Sequence, residues 1–361
     1  MRNIIFSLLL AGSAMMLASC ENEDIEFSDY DYQTVYFATQ NPVRKITLGD
    51  DVYPTDNDGS FKLFATCGGV WTNRKDRTVN IAVDETLCDG MEFEDGRAVM
   101  PLPQEYYTMS SNTITIHPGE IMASVDVQLT DAFFADPLSA KMNYVLPVRI
   151  VSASDSILSG KPKAGVTNPN PVDADDWDVL PQNYTLYALR YKNKYHGVWL
   201  SCGTDHIYTD GTETSVNVRE PEYLEKAGLV NLYTERLNVV RYPVSVDVEV
   251  YDVEKKKITV ERKTCDLVLT FDGDENCTVT SDTEGFKANG TGKWEYQGAK
   301  KAWNKKDRDL LTLSYEYEFS YVYNAETGIR KTVRVVTDER LVMRDRGSDN
   351  KLETFSYKIR K

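Results

Sequence analysis

From Leu311 to Tyr323 the chain alternates with a period of two. Leu311, Leu313, Tyr315, Tyr317, Phe319, Tyr321 and Tyr323 share one face; Thr312, Ser314, Glu316, Glu318 and Ser320 take the other. Only a β-strand keeps that period, and only a strand with one face buried needs it. So long a half-buried strand must lie in a sheet of comparable strands. Val244, Val246, Val248 and Val250 repeat the pattern against Ser245, Asp247 and Glu249. Leu267 to Phe271 and Thr278 to Thr280 add a hairpin, and Val333, Val335 and Asp338 to Met343 add more. Roughly nine or ten strands are expected between residues 183 and 361. A closed or nearly closed antiparallel barrel, or a sandwich, leaves such a sheet without long free edges.

The preceding part of the chain is also built of strands, but shorter ones. Val35–Ala38, Phe61–Phe64, Val79–Val83, Thr113–Ile116, Val125–Leu129 and Tyr144–Ile150 are separated by turns such as His117-Pro118-Gly119 and Asp56-Asn57-Asp58-Gly59. No helical period intervenes. An immunoglobulin-like β-sandwich over 32–160 follows. Residues 161–182 carry four prolines interleaved with Gly165, Asn168, Asn170 and the acidic run Asp173 to Asp178, and read as a linker to the second domain at 183–361. The whole is expected to be all-β.

The first twenty residues carry an address. Arg2 precedes a short apolar run, Ile4 to Leu10, too short to span a bilayer as a permanent helix. Leu17-Ala18-Ser19-Cys20 follows, small residues before a thiol. This phrase resembles the lipobox of bacterial lipoproteins, which implies a signal peptide over 1–19 and lipidation at Cys20. Two acyl chains on one cysteine anchor stably where one does not. Glu21, Glu23, Asp24, Glu26, Asp29 and Asp31 then form an acidic tether over 20–31. It resembles the export signal of Bacteroidetes lipoproteins displayed on the outer face of the outer membrane; a merely solvated linker is the plainer alternative.

Charge narrows the partners. With 41 Lys and Arg against 56 Asp and Glu, the net charge is −15. Such a chain is repelled by phosphate backbones, so nucleic acid is not an expected partner. Of six cysteines, lipidation of Cys20 leaves five, which cannot all pair. Cys265 and Cys277 flank a turn near Asp272-Gly273-Asp274, but that turn sets Cys265 opposite roughly residue 280, about 10 Å out of register with Cys277. Buried free thiols are expected. The three histidines are scattered and no C-x-x-C occurs, so no metal or cofactor is expected.

Several phrases of the first domain resemble a family. Leu102-Pro103, Tyr106-Tyr107, Ile114 to Glu120, Asp136-Pro137-Leu138 and Tyr144 to Ile150 are similar to the N-terminal domain of unknown function, type 1735, of Bacteroidetes surface lipoproteins, including some family-18 endo-β-N-acetylglucosaminidases. Asn183 to Tyr187, Asn193 to Gly197 and Leu267 to Asp272 resemble an uncharacterised C-terminal partner of that module. Gly197-Val198-Trp199 resembles the G-x-W start of lipocalin-like barrels. The resemblance implies capture of an oligosaccharide or other glycan beside an outer-membrane importer, and it carries over no ligand residues.

Catalytic signatures are missing. Phe271 to Asn276 lacks the spaced glutamate of the family-18 signature, and Cys277 and Thr283 stand where a calcium loop needs glycine and glutamate. A hairpin turn accounts for the phrase, and a non-catalytic binder is expected. A structural or adhesive surface protein, or a glycoside hydrolase with two carboxylates drawn from distant strands, stays open as an alternative. A glycan binder needs aromatic faces for sugar rings. Trp303, among Lys300, Lys301, Asn304, Lys305 and Lys306, is the first candidate. Trp71 after Gly68-Gly69, Trp199, Tyr195 and His196 follow, each with a structural alternative: sandwich edge for Trp71, core for Trp199, a satisfied histidine for His196. Trp294, in phase with Tyr296, reads as barrel wall.

Overall fold

The computed structural model describes residues 29–49, 52–347 and 352–360; the expected signal peptide, Cys20 and the expected tether as far as residue 28 lie outside them. The all-β expectation holds: a β-sandwich is followed by a β-barrel. Among the described residues two short α-helices, Pro54–Asn57 and Asp131–Ala135, and a few single 3-10 turns interrupt the strands.

One sandwich sheet orders Ser156–Ile157, Thr34–Tyr36, Ser60–Gly68, Met122–Leu129 and Tyr107–Met109. The other runs from Glu353–Thr354 through Pro42–Thr47, Tyr184–Lys192, Tyr144–Ala153 and Arg77–Val83 to Thr113–Ile116. Between them pack Val35, Phe37, Leu63, Ile81, Val127, Leu146 and Tyr191, all buried. The second sheet is covered on its outer face too: Val145, Leu186 and Ala188 meet Leu87, Met91, Phe93, Val172 and Phe355. A strand buried on both faces loses its alternation, which is why Tyr144 to Ile150 reads as a continuous apolar run.

The domain boundary differs from the expected 183. Tyr184–Lys192 lies in the sandwich, antiparallel to Tyr144–Ala153 (Leu146↔Tyr187) and parallel to Pro42–Thr47 (Ala188↔Val43). The barrel begins after it. Residues 161–182 are not a bare linker either: Lys161–Pro162 pairs with Trp177–Val179, the Trp177 indole donates to the Asn170 carbonyl at 2.8 Å, and Val172 is buried. The chain also comes back. Beyond the barrel, Glu353–Thr354 pairs with Pro42–Thr47 and Tyr357–Ile359 with Met91–Phe93.

The barrel closes where Gly197–Thr209 pairs with Ile329–Asp345, from Val198↔Asp345 to Thr209↔Val333. Round the wall follow Gly228–Arg236, Val239–Asp252, Lys257–Phe271, Asn276–Ser281, Phe286–Trp303 and Lys306–Asn324; Thr212–Arg219 is an extra strand on Gly197–Thr209. Leu311, Leu313, Tyr315, Tyr317, Phe319 and Tyr321 point inward and are buried, as the alternation predicts. Two inward glycines let the wall turn: a Cβ at Gly290 would lie 2.4 Å from that of Tyr315, and one at Gly197, with φ +150°, would lie 2.5 Å from the Asp345 carbonyl oxygen. The five cysteines of the described residues are free and buried. Phe271 faces Cys277 and Leu267 faces Ser281, so Cys265 is further out of register than the sequence suggests. Burial pushes the Cys88 and Cys277 thiols up to about 12, far from the reactive thiolate.

Candidate functional site

At the barrel end nearest the sandwich lies a cavity of about 600 Å³. The sandwich gives it Leu48, Gly49 and Asn57; the barrel gives it Lys194, Tyr195, Asn238, Asp272, Glu275, Trp294, Tyr296 and Arg346, among others. Arg346 lies where the two sides meet. It donates to the Lys194 carbonyl, pairs with buried Asp309, and lies so close under Gly49 that a Cβ there would sit 2.6 Å from the guanidinium carbon. Gly49, with φ +116°, is therefore required twice over, by its backbone and by its neighbour.

The barrel wall of the cleft is aromatic. Tyr195 stacks on Phe271 with ring centroids 3.7 Å apart, and Trp294 stands edge-on to Tyr195 at 5.7 Å. The Lys194 ammonium lies 4.6 Å from the Trp294 ring centroid and 2.5 Å from a Glu275 oxygen, while the Tyr195 hydroxyl donates to the other Glu275 oxygen at 2.7 Å. Burial, then Glu275, raises the Tyr195 phenol, so it serves as a donor and not as an ionised group. Asp272 accepts from the N–H groups of Asp274 and Asn276, both at 2.9 Å, which makes Asp272 to Asn276 the hairpin turn expected. Those hydrogen bonds, the Asn276 side chain's first, hold the Asp272 carboxyl below its ordinary range. Tyr296, two residues beyond Trp294, is 57% exposed. The strand outruns the barrel there: register shifts between Glu295 and Ala299, with Gln297 at φ 47°, and the ring emerges at the rim.

Such a wall offers one ring exposed at the rim, further rings behind it, and carboxylate and amide groups around it. That is the equipment for a polyhydroxylated ring: apolar CH faces on the tyrosine, hydroxyls to the polar rim.

The sequence candidates are scattered. Tyr195 does line the cleft, though only 3% exposed. Trp199 is fully buried in the barrel core, its indole donating to the Tyr195 carbonyl at 3.1 Å, and offers no face to a ligand. His196 is half-buried with Nδ1 accepting from the Thr234 N–H at 3.1 Å, a structural histidine. Trp71 is exposed on the sandwich and does not line the cleft; its backbone N–H donates to an Asp29 carboxylate oxygen at 2.6 Å. Trp303 is not in a structureless loop. It ends strand Phe286–Trp303 at a two-residue turn, Asn304 and Lys305 at φ 51° and 60°, and packs half-buried on an outer cluster of Leu200, Ala227 and Val342. A turn with both central residues at positive φ is the tight hairpin that fits strand twist, and it turns an apparently open lysine-rich loop into a strand end. Trp294 is barrel wall, as expected. Tyr296 is readable from sequence only as its neighbour in phase; Gly298, where a Cβ would lie 2.8 Å from that of Glu295, is the one local sign of the bulge that exposes it.

Comparison with known proteins agrees with the two-domain division. DUF5627, a domain of unknown function, matches residues 194–347, the barrel. A second family model, described as an N-terminal domain, matches residues 30–157. No protein of curated function matches. A crystal structure of a Bacteroides ovatus protein of unknown function is 34% identical with a TM-score of 0.78, over 92% of this chain and 100% of that one. A Bacteroides ovatus multidomain protein including DUF1735 is 14% identical with a TM-score of 0.38, over 86% of this chain and 94% of that one, too loose to bear on fold or function. The chain thus belongs to the family of that 34%-identical Bacteroides ovatus protein.

Proposed function

We propose that this chain is a lipid-anchored protein of the outer cell surface that binds an oligosaccharide in the cleft between sandwich and barrel, as a non-catalytic accessory of a glycan-uptake system. The observation that carries the reading is the exposed ring of Tyr296 at the rim of a 600 Å³ cleft backed by Trp294 and edged with carboxylates and amides. Glu275 is spent on Lys194 and Tyr195, and Asp272 on its own turn, so neither carboxylate is poised as an acid or base.

A glycan array on the full mature chain identifies the sugar. Calorimetry with that sugar then tests the cleft. Tyr296→Ala is expected to weaken binding about thirtyfold, the loss that goes with about 2 kcal/mol at an aromatic anchor, with melting little changed because the ring is exposed. Unaltered affinity in the folded variant sinks the cleft assignment. The anchor is tested separately. Cys20→Ala, outside the described residues, should move the protein from the membrane fraction to the soluble one, since both acyl chains depend on that thiol. Continued flotation with membranes counts against a lipoprotein.

A further inference from the structure

The barrel has a gap in its side. Strand Thr212–Arg219 pairs only with Gly197–Thr209, from Gly203↔Arg219 to Thr209↔Thr212. Val239–Asp252 pairs with Gly228–Arg236 only through Val239 to Arg241. Among the described residues no ladder joins Thr212–Arg219 to Val239–Asp252. Between these two edges a cavity of about 450 Å³ reaches the barrel interior. It shares no lining residue with the interdomain cleft.

Its walls fall into two kinds. Ile207, Val230, Val244, Val246 and Val335 form an apolar side; Tyr242, Tyr315 and Tyr317 form an aromatic floor. Two features of that floor point to a ligand. First, Tyr317 is 97% buried by its 3% exposure, lines the cavity, and its hydroxyl has no hydrogen-bond partner among the described residues. The neighbouring hydroxyls are committed: Tyr242 and Tyr315 donate to Glu339 at 3.3 and 3.1 Å. The Tyr317 hydroxyl is therefore open to the cavity and free to meet a hydroxyl that enters it.

Second, the charges are closed off. Arg219 grips Asp205 through Nε and Nη2 at 3.0 and 2.9 Å and reaches Glu339 at 3.2 Å. At the rim Arg262 is paired with Asp247 at 2.8 Å. Two carboxylates face the single inner guanidinium, so an anion entering the lumen meets no unpaired cation among the described residues.

We propose that this lumen is a second ligand site, for a small uncharged ring compound carrying a hydroxyl. The ring lies among the valines and tyrosines, and the hydroxyl meets that of Tyr317.

Fluorescence titration of the full mature chain at neutral pH tests it. N-phenyl-1-naphthylamine, a neutral dye, should bind saturably at one site. 1-Anilinonaphthalene-8-sulfonate, the same ring system with a negative charge, should bind at least about tenfold more weakly. Asn217→Trp, at an exposed rim position, should block the mouth and lower affinity for the neutral dye at least about tenfold. Tyr317→Phe keeps the ring and removes only the oxygen; it should leave the neutral dye within about twofold but weaken its displacement by 2-naphthol about fivefold. Absence of saturable binding, or binding indifferent to Asn217→Trp, overturns the site. Equal or tighter binding of the sulfonate overturns the charge argument, and 2-naphthol displacement unchanged in Tyr317→Phe removes the hydroxyl's role.

Discussion

Arg219→Met is expected to lower stability by about 3–5 kcal/mol at pH 8, the range for removing one partner of a buried ionic network. The side chain of Glu339 has no exposure at all, that of Asp205 17%, and Arg219 serves both. Methionine fills much of the volume and offers no charge, leaving two carboxylates in the barrel with hydroxyls and an amide alone. The pH dependence identifies the cause. Burial already pushes the Glu339 carboxyl up, and without the guanidinium it must rise further. A carboxyl whose folded value exceeds its unfolded one binds more protons folded than unfolded, so its contribution is fully favourable at low pH and is lost as pH rises through the window above about 4.5. The variant should therefore be penalised less at pH 5 than at pH 8, and Arg219→Met with Glu339→Gln should recover part of the loss. Urea unfolding of the three proteins at both pH values measures this. A penalty that is small and flat with pH would mean the network is solvated.

Acidification should weaken the parent protein through His196, with the opposite sign. Burial first, then Lys192, Arg190 and Arg346, lower this imidazole from 6.5 to about 3. Folded, it stays neutral and accepts from Thr234; unfolded, it takes a proton below 6.5. Its contribution is complete above 6.5 and is lost as pH falls towards 3, amounting to about 2–3 kcal/mol by pH 4.5 at about 1.4 kcal/mol per pH unit. His196→Asn keeps an acceptor for Thr234 without the titration. It should flatten the stability profile between pH 7 and 4.5, and a profile as steep as the parent's would assign the loss to other groups.

The barrel was legible because its strands are buried on one face only. Leu311 to Tyr321 and Val244 to Val248 carry the period, and the structure turns those faces inward. Strand Tyr184–Lys192 was placed in the wrong domain for the complementary reason: it is central and covered on both sides, and an apolar run states burial without stating against what. Residues 353–359 gave no signal, since pairing with a strand some 260 to 310 positions earlier is set by topology and not by local pattern. The site was harder still. Trp199 and Trp303 are bulky aromatics that the fold uses as core and as outer packing. Tyr296 owes its exposure to a bulge, and the cleft owes its far wall to Gly49, which only a folded chain brings near Arg346.

The returning segment bears on how this protein is made. The Asn41 side chain donates to the Phe355 carbonyl across 314 positions of chain, and Phe355 lies buried against Phe93 at 5.6 Å between ring centroids. The outer layer of the sandwich is thus finished by residues that follow the entire barrel. Closing so long a loop is entropically slow unless the intervening chain is already compact. A folded barrel supplies that compactness, bringing Asp345 and Gly197 side by side and so shortening the effective loop to the span of one domain. The domain that comes first in the chain is the last to be completed, and until then the Pro42–Val43 end of its sheet edge is open to strand exchange with another copy.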